Sequence, residues 1–165
     1  MKKIFAKILG NHAAEVIKRT SDLCPTGITV TGQPTAPPEV ELAVRIDFKG
    51  ILADKTPVDG YVLCGSVRHD QSRPLLAAMA RHFGLGEALA DSPQGAADIL
   101  SEFLNIIIGL TGADWGEHGF EMDFSTPRNV SGQAPAQFTG TERAFHIAVT
   151  IDGGADVDLV AVFNG

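Results

Sequence analysis

Residues 98–112 read Asp-Ile-Leu-Ser-Glu-Phe-Leu-Asn-Ile-Ile-Ile-Gly-Leu-Thr-Gly, and no other stretch restricts the fold as strongly. An α-helix turns about 100° per residue. With Asp98 set at zero, Ile99, Leu100, Phe103, Leu104, Ile106, Ile107, Ile108 and Leu110 occupy directions from about 80° to about 280°. A helix apolar over that much of its circumference must be enclosed by protein on most sides. One narrow stripe is left over, with Glu102 near ~40°, Asn105 near ~340°, Gly109 near ~20° and Gly112 near ~320°. The helix is expected from about Ala96 to Leu110, followed by a loop over "TGADWGEHG".

The flanking patterns supply partners for such a helix. Val40, Leu42, Val44, Ile46 and Phe48 alternate with Glu41, Arg45, Asp47 and Lys49, which predicts a strand with one wet face. "PVDG" then reads as a turn into the strand "YVLCGSV". "FEMDFS" alternates in the same way, and "RAFHIAVTI" and "DVDLVAVF" form a hairpin around "DGGA". Phe5, Ile8, Leu9, Ala13, Val16 and Ile17 predict a helix over residues 4–22, and Leu75, Leu76, Met79 and Phe83 another over Gln71–Phe83, with Pro74 in its first turn. "CPTGITVTG" reads as a short strand and "QPTAPPEVE" as a proline-rich connection. The class is α+β: one domain over residues 1–165, a mainly antiparallel sheet packed with an N-terminal helix and two adjacent central helices.

Composition closes off several functions. A formal net charge of -7 with scattered Lys and Arg argues against nucleic acid and anionic membrane as partners. Cys24 and Cys64 are too few for a disulfide framework and are expected as two partly buried thiols. Lys7 interrupts the apolar run that would make the N-terminus a signal peptide, and no segment is expected to reach the roughly 18 apolar residues of a membrane span. A cytoplasmic location is expected. No P-loop or G-x-S-x-G elbow occurs, and "GLGEAL" follows a helix, where a glycine C-cap explains it better than a dinucleotide fingerprint. His12, His69, His82, His118 and His146 show no metal-ligand spacing, so no metal or cofactor is expected.

The polar stripe is where chemistry concentrates. Asparagine in a helix interior costs roughly half a kcal/mol against alanine, and glycine about 1. Glu102 and Asn105, one turn apart on the stripe, therefore stand out as its candidate functional residues. Asp98, Gly109 and Gly112 beside them are candidate partner contacts, the glycines allowing another backbone to approach closely. The alternative is a solvated stripe whose two glycines end the helix.

Glu102-x-x-Asn105-x-x-x-Gly109, on a helix preceded by a strand-helix unit and followed by "FEMDFSTPRNVSG", resembles the CheX-type chemotaxis phosphatases of the CheC/CheX/FliY group. Pro127, Val130 and Gly132 match, and the resemblance runs over residues 4–163, tightest over 97–132. It implies a CheC-like fold and hydrolysis of the aspartyl phosphate of a CheY-like response regulator in two-component signalling. Asn105 would orient the attacking water, and Glu102 would pair with the regulator's active-site lysine. Magnesium would belong to the regulator, leaving this chain without a cofactor. Relatives of this type are often dimers, and an exposed strand edge would serve that purpose.

Two positions depart from the pattern: Leu110 stands where asparagine is frequent, and Ser101 where glycine is common. The first helix carries Glu15 and Lys18 at the matching spacing, so one site per chain is implied. A non-catalytic module that binds a receiver on the same fold is the main alternative.

Overall fold

The structure, a computed structural model, describes residues 1–32, 41–66, 68–133, 143–152 and 156–164. The "QPTAPPEVE" connection up to Val40 and the Gly-Gly-Ala tip of the final hairpin lie outside the described residues. The elements run α1 (Lys2–Thr20), β1 (Pro25–Gly32), β2 (Leu42–Ile51), β3 (Pro57–Ser66), α2 (His69–Phe83), a 3-10 turn (Glu87–Asp91), α3 (Pro93–Glu117), β4 (Glu121–Phe124), β5 (Arg128–Asn129), β6 (Arg143–Ile151) and β7 (Asp156–Phe163).

All strand pairings are antiparallel, in the order β1-β6-β7-β3-β2-β4, with β5 also on β2. The predicted alternation of β2 holds, since Leu42, Val44, Ile46 and Phe48 are buried while Arg45 and Asp47 are partly exposed and Lys49 is exposed. These four join Val62, Cys64, Ile147, Val149, Leu159 and Phe163 under the helices in one core. The opposite face is drier than the pattern of β2 foretold. Tyr61, Ala144, Val160 and Val162 make a second buried cluster there, and the Arg45 guanidinium lies 3.9 Å over the Tyr61 ring.

Several boundaries differ from expectation for identifiable reasons. "PVDG" is not a turn but the first four residues of β3, in register with β2 through Pro57↔Ile51 and Gly60↔Phe48. The reversal falls earlier, where Lys55 takes φ 65° and its N–H donates to the Leu52 carbonyl at 2.8 Å. Helix α2 begins at His69, which puts Pro74 beyond the first turn, inside the helix. A proline there lacks the N–H that would reach the Asp70 carbonyl. Gly84 ends α2 at φ 71°, the left-handed C-cap expected of "GLGEAL".

Helix α3 starts where Ser92 accepts the Gly95 N–H at 3.1 Å, with Pro93 in the first turn. It does not stop at Leu110 but continues two turns to Glu117. Trp115 explains the extension. It is buried and stacks on Phe5 of α1 with centroids 4.1 Å apart, and on Phe124 of β4 at 5.4 Å. At 25 residues, with mean hydropathy 1.4 over an 18-residue window, α3 is long and apolar enough to cross a membrane, contrary to the sequence expectation. Half of that window is buried inside the fold, as befits a core helix. Neither cysteine is partly buried: Cys24 is exposed and Cys64 fully enclosed, where burial and then nearby Asp158 push its thiol pKa far up.

Candidate functional site on α3

The stripe predicted on the central helix faces solvent. Asp98, Glu102, Asn105, Gly109 and Gly112 are all exposed, while Ile99, Leu100, Phe103, Leu104, Ile107 and Ile108 between them are buried. Apolar contacts with the sheet and the other helices fix the rotation of α3, and that rotation turns the stripe outward. The side chains of Glu102 and Asn105 make no hydrogen bond or ion pair with any described residue. They are a carboxylate and a carboxamide one turn apart, both available to a visiting molecule.

Two apolar residues assigned to the buried side are not enclosed. Leu110 is 40% exposed and Ile106 only partly buried. They lie on the rim of the stripe, which widens towards the C-terminal half of α3 as Gly109, Gly112, Ala113 and Gly116 follow on the exposed side.

Gly109 and Gly112 are mid-helix residues, so the reading of them as helix-end glycines does not hold. A Cβ on Gly109, Gly112 or Gly116 would meet no atom of the described residues within 4 Å. Gly95, in the same helix, differs: a Cβ there would come within 2.2 Å of the Leu89 carbonyl oxygen, so packing of the 3-10 turn demands glycine. Packing among the described residues makes no such demand at the other three positions.

Sequence reasoning missed two polar residues beside the stripe. Gln94 donates to Asp98 at 3.0 Å, and Asn129 of β5 donates to Gln94 at 3.2 Å. The four-residue spacing of Gln94 and Asp98 was a usable signal; the approach of β5 was not. The histidines form other contacts. His12 bonds Asp114 across α1 and α3 at 2.8 Å, His146 bonds Asp158 on the sheet, and His118 caps α3 with its ring bonded to the Asp114 carbonyl. Among the described residues no group of three or more His, Cys, Asp or Glu side chains is placed to hold a metal ion.

Comparison with solved structures places this architecture. A protein ascribed to chemotaxis from Desulfovibrio vulgaris Hildenborough superposes with a TM-score of 0.75 at 17% identity, covering 96% of both chains. The CheX–CheY–BeF3–Mg complex from Borrelia burgdorferi matches with a TM-score of 0.68 at 13% identity, over 96% of this chain and 97% of that one. The fold is that of CheX and CheC-like proteins. A CheC-like superfamily protein from Shewanella sp. PV-4 gives a TM-score of 0.70 at 16% identity, over 98% and 97% of the two chains. No protein-family model and no curated protein matches the chain by sequence. The resemblance drawn from the E-x-x-N helix therefore holds at the level of fold, and this CheX-like fold carries Glu102 and Asn105 on the exposed side of its longest helix.

Proposed function

We propose that this chain is a phosphatase that hydrolyses the aspartyl phosphate of a CheY-like response regulator. The observation that carries the proposal is the pairing of Glu102 and Asn105, exposed side by side on the wet stripe of a half-buried helix with no side-chain partner among the described residues. In the reaction a water oxygen bonds to phosphorus and the P–O bond to the regulator's aspartate breaks, which restores the aspartate carboxylate on the regulator and releases inorganic phosphate carrying the water's protons. Asn105 orients that water in line: its carboxamide both donates and accepts while staying neutral beside a phosphoryl dianion. Glu102 pairs with the regulator's active-site lysine and anchors the helix over the site.

Phosphoryl transfer asks a protein mainly for position and charge, and a misplacement of about 1 Å can lose roughly 10²-fold in rate. Magnesium is held by the regulator, so this chain brings no cofactor. The Borrelia burgdorferi CheX of the same fold, in complex with CheY, BeF3 and magnesium, supports the partner class. Asp98, Gly109 and Gly112 complete the contact surface, and the pairing takes place in the cytoplasm, in chemotaxis or another two-component pathway. A second copy of the chain is the expected neighbour for β1, an edge strand whose sequence PTGITVTG carries no charged residue to deter pairing.

The test is phosphate loss from phosphorylated receivers with wild-type protein, Glu102→Ala and Asn105→Ala. Acceleration by wild type that either change lowers about 10²-fold or more is expected. Complex formation without acceleration would instead make the chain a receiver-binding module.

A further inference from the structure

Asn129 stands on β5, fixed to β2 by the pairings Val44↔Asn129 and Arg45↔Arg128. The chain beyond it is tied down as well: the Val130 N–H donates to the Ala43 carbonyl at 2.9 Å, and Ser131 Oγ accepts the Ala43 N–H at 3.0 Å. Asn129 Oδ1 accepts the Ser131 N–H at 2.9 Å. A backbone N–H can only donate, so the oxygen of the Asn129 carboxamide must face it and the amide nitrogen must face Gln94. Nδ2 donates to Gln94 Oε1 at 3.2 Å, which leaves Gln94 Nε2 to donate to Asp98 Oδ1 at 3.0 Å. The chain of bonds has one direction, from the backbone of the turn after β5 to the helix, and it ends with a donor on a carboxylate. Asp98 is thus held in place, whereas Glu102, one turn on along the same stripe, is not.

Asp98 and Asn105 are seven residues apart, about 10 Å along the helix axis. Asp98 therefore lies outside reach of a phosphoryl group that Asn105 addresses. Its remaining lone pairs accept only, and they fit a cationic side chain on the partner's surface. A side chain already ordered before docking avoids a penalty of about 2- to 10-fold in affinity.

We propose that Asn129 and Gln94 are positioning residues that hold Asp98 as a fixed docking carboxylate for a lysine or arginine of the receiver, so that they act on binding and not on the hydrolytic step. This role rests on the receiver-phosphatase function above. It predicts a split between KM and kcat that a structural role for the same bonds does not.

The experiment uses the full chain and a CheY-type receiver from the same organism. The beryllium trifluoride-loaded form gives Kd, and the phosphorylated form gives kcat and KM. Gln94→Ala is expected to raise Kd and KM about 2- to 10-fold with kcat unchanged. Asn129→Asp is expected to do the same. It keeps the side chain's shape but removes the donor, so that Gln94 rotates its amide and turns a carbonyl oxygen on Asp98. Asp98→Ala weakens binding at least as much, and adding Gln94→Ala to it changes nothing further. An unchanged Kd for Gln94→Ala, a lowered kcat, or an equal effect of Gln94→Ala with and without Asp98 would overturn the positioning role alone. Wild-type protein that binds no loaded receiver would overturn the phosphatase function along with it.

Discussion

Asn105 is the residue on which the proposed chemistry turns. Its exposure and its place one turn from Glu102 follow from helical periodicity alone, because the apolar residues around it fix the side of the helix that can face water. Replacing the amide by a carboxylate tests the role without changing size. Asn105→Asp puts a negative charge beside the phosphoryl group and removes the amide donor. Turnover is expected to fall by about 10²-fold or more, while the melting temperature stays at the wild-type value; surviving turnover in a phosphate-release assay would count against water orientation. The bonds of Gln94 and Asn129 were not legible in the same way. The two residues are 35 positions apart, and only the pairing of β5 with β2 brings them together.

At the scale of the element, α3 is the informative case. It starts at Pro93, three residues before the expected Ala96, because Ser92 and Pro93 form a local N-terminal cap outside the expected helix, and its end lies further still from expectation. Gly109, Gly112 and Gly116 read as punctuation in one dimension. In the fold they continue the helix, because Trp115 and Thr111 are buried and hold the last turns down. Glycine costs a helix interior about 1 kcal/mol against alanine. Since a Cβ at Gly109 or Gly112 meets no atom of the described residues, the double variant Gly109→Ala, Gly112→Ala is expected to gain about 2 kcal/mol, or about 4–8 °C in Tm. Calorimetry checks the gain. Titration with a loaded receiver is expected to show weaker binding, because the added methyl groups hold the partner's backbone away. The turn before β3 taught the opposite lesson: "PVDG" has turn composition, yet ten residue pairs between β2 and β3 make it strand.

At the scale of the molecule, one aromatic cluster joins α1, α3 and the sheet. Phe5 touches Phe48, Trp115, Phe120 and Phe163, with centroids 4.1 to 5.8 Å apart. Trp115→Ala is expected to cost about 3–5 kcal/mol, seen as a lower midpoint in chemical denaturation, with the proposed phosphatase activity unchanged below the melting range because the stripe itself is untouched.

The sequence by itself determined the α+β class, the one-sided pattern of β2, and the side of α3 that carries Asp98, Glu102, Asn105, Gly109 and Gly112. All three are set by periodicities of two or 3.6 residues, which act between near neighbours. The tertiary structure alone decided the strand order β1-β6-β7-β3-β2-β4, the length of α3 and the hold of β5 on Asp98. Those depend on contacts between residues tens to more than a hundred positions apart, such as Phe5 with Trp115, which no local pattern records.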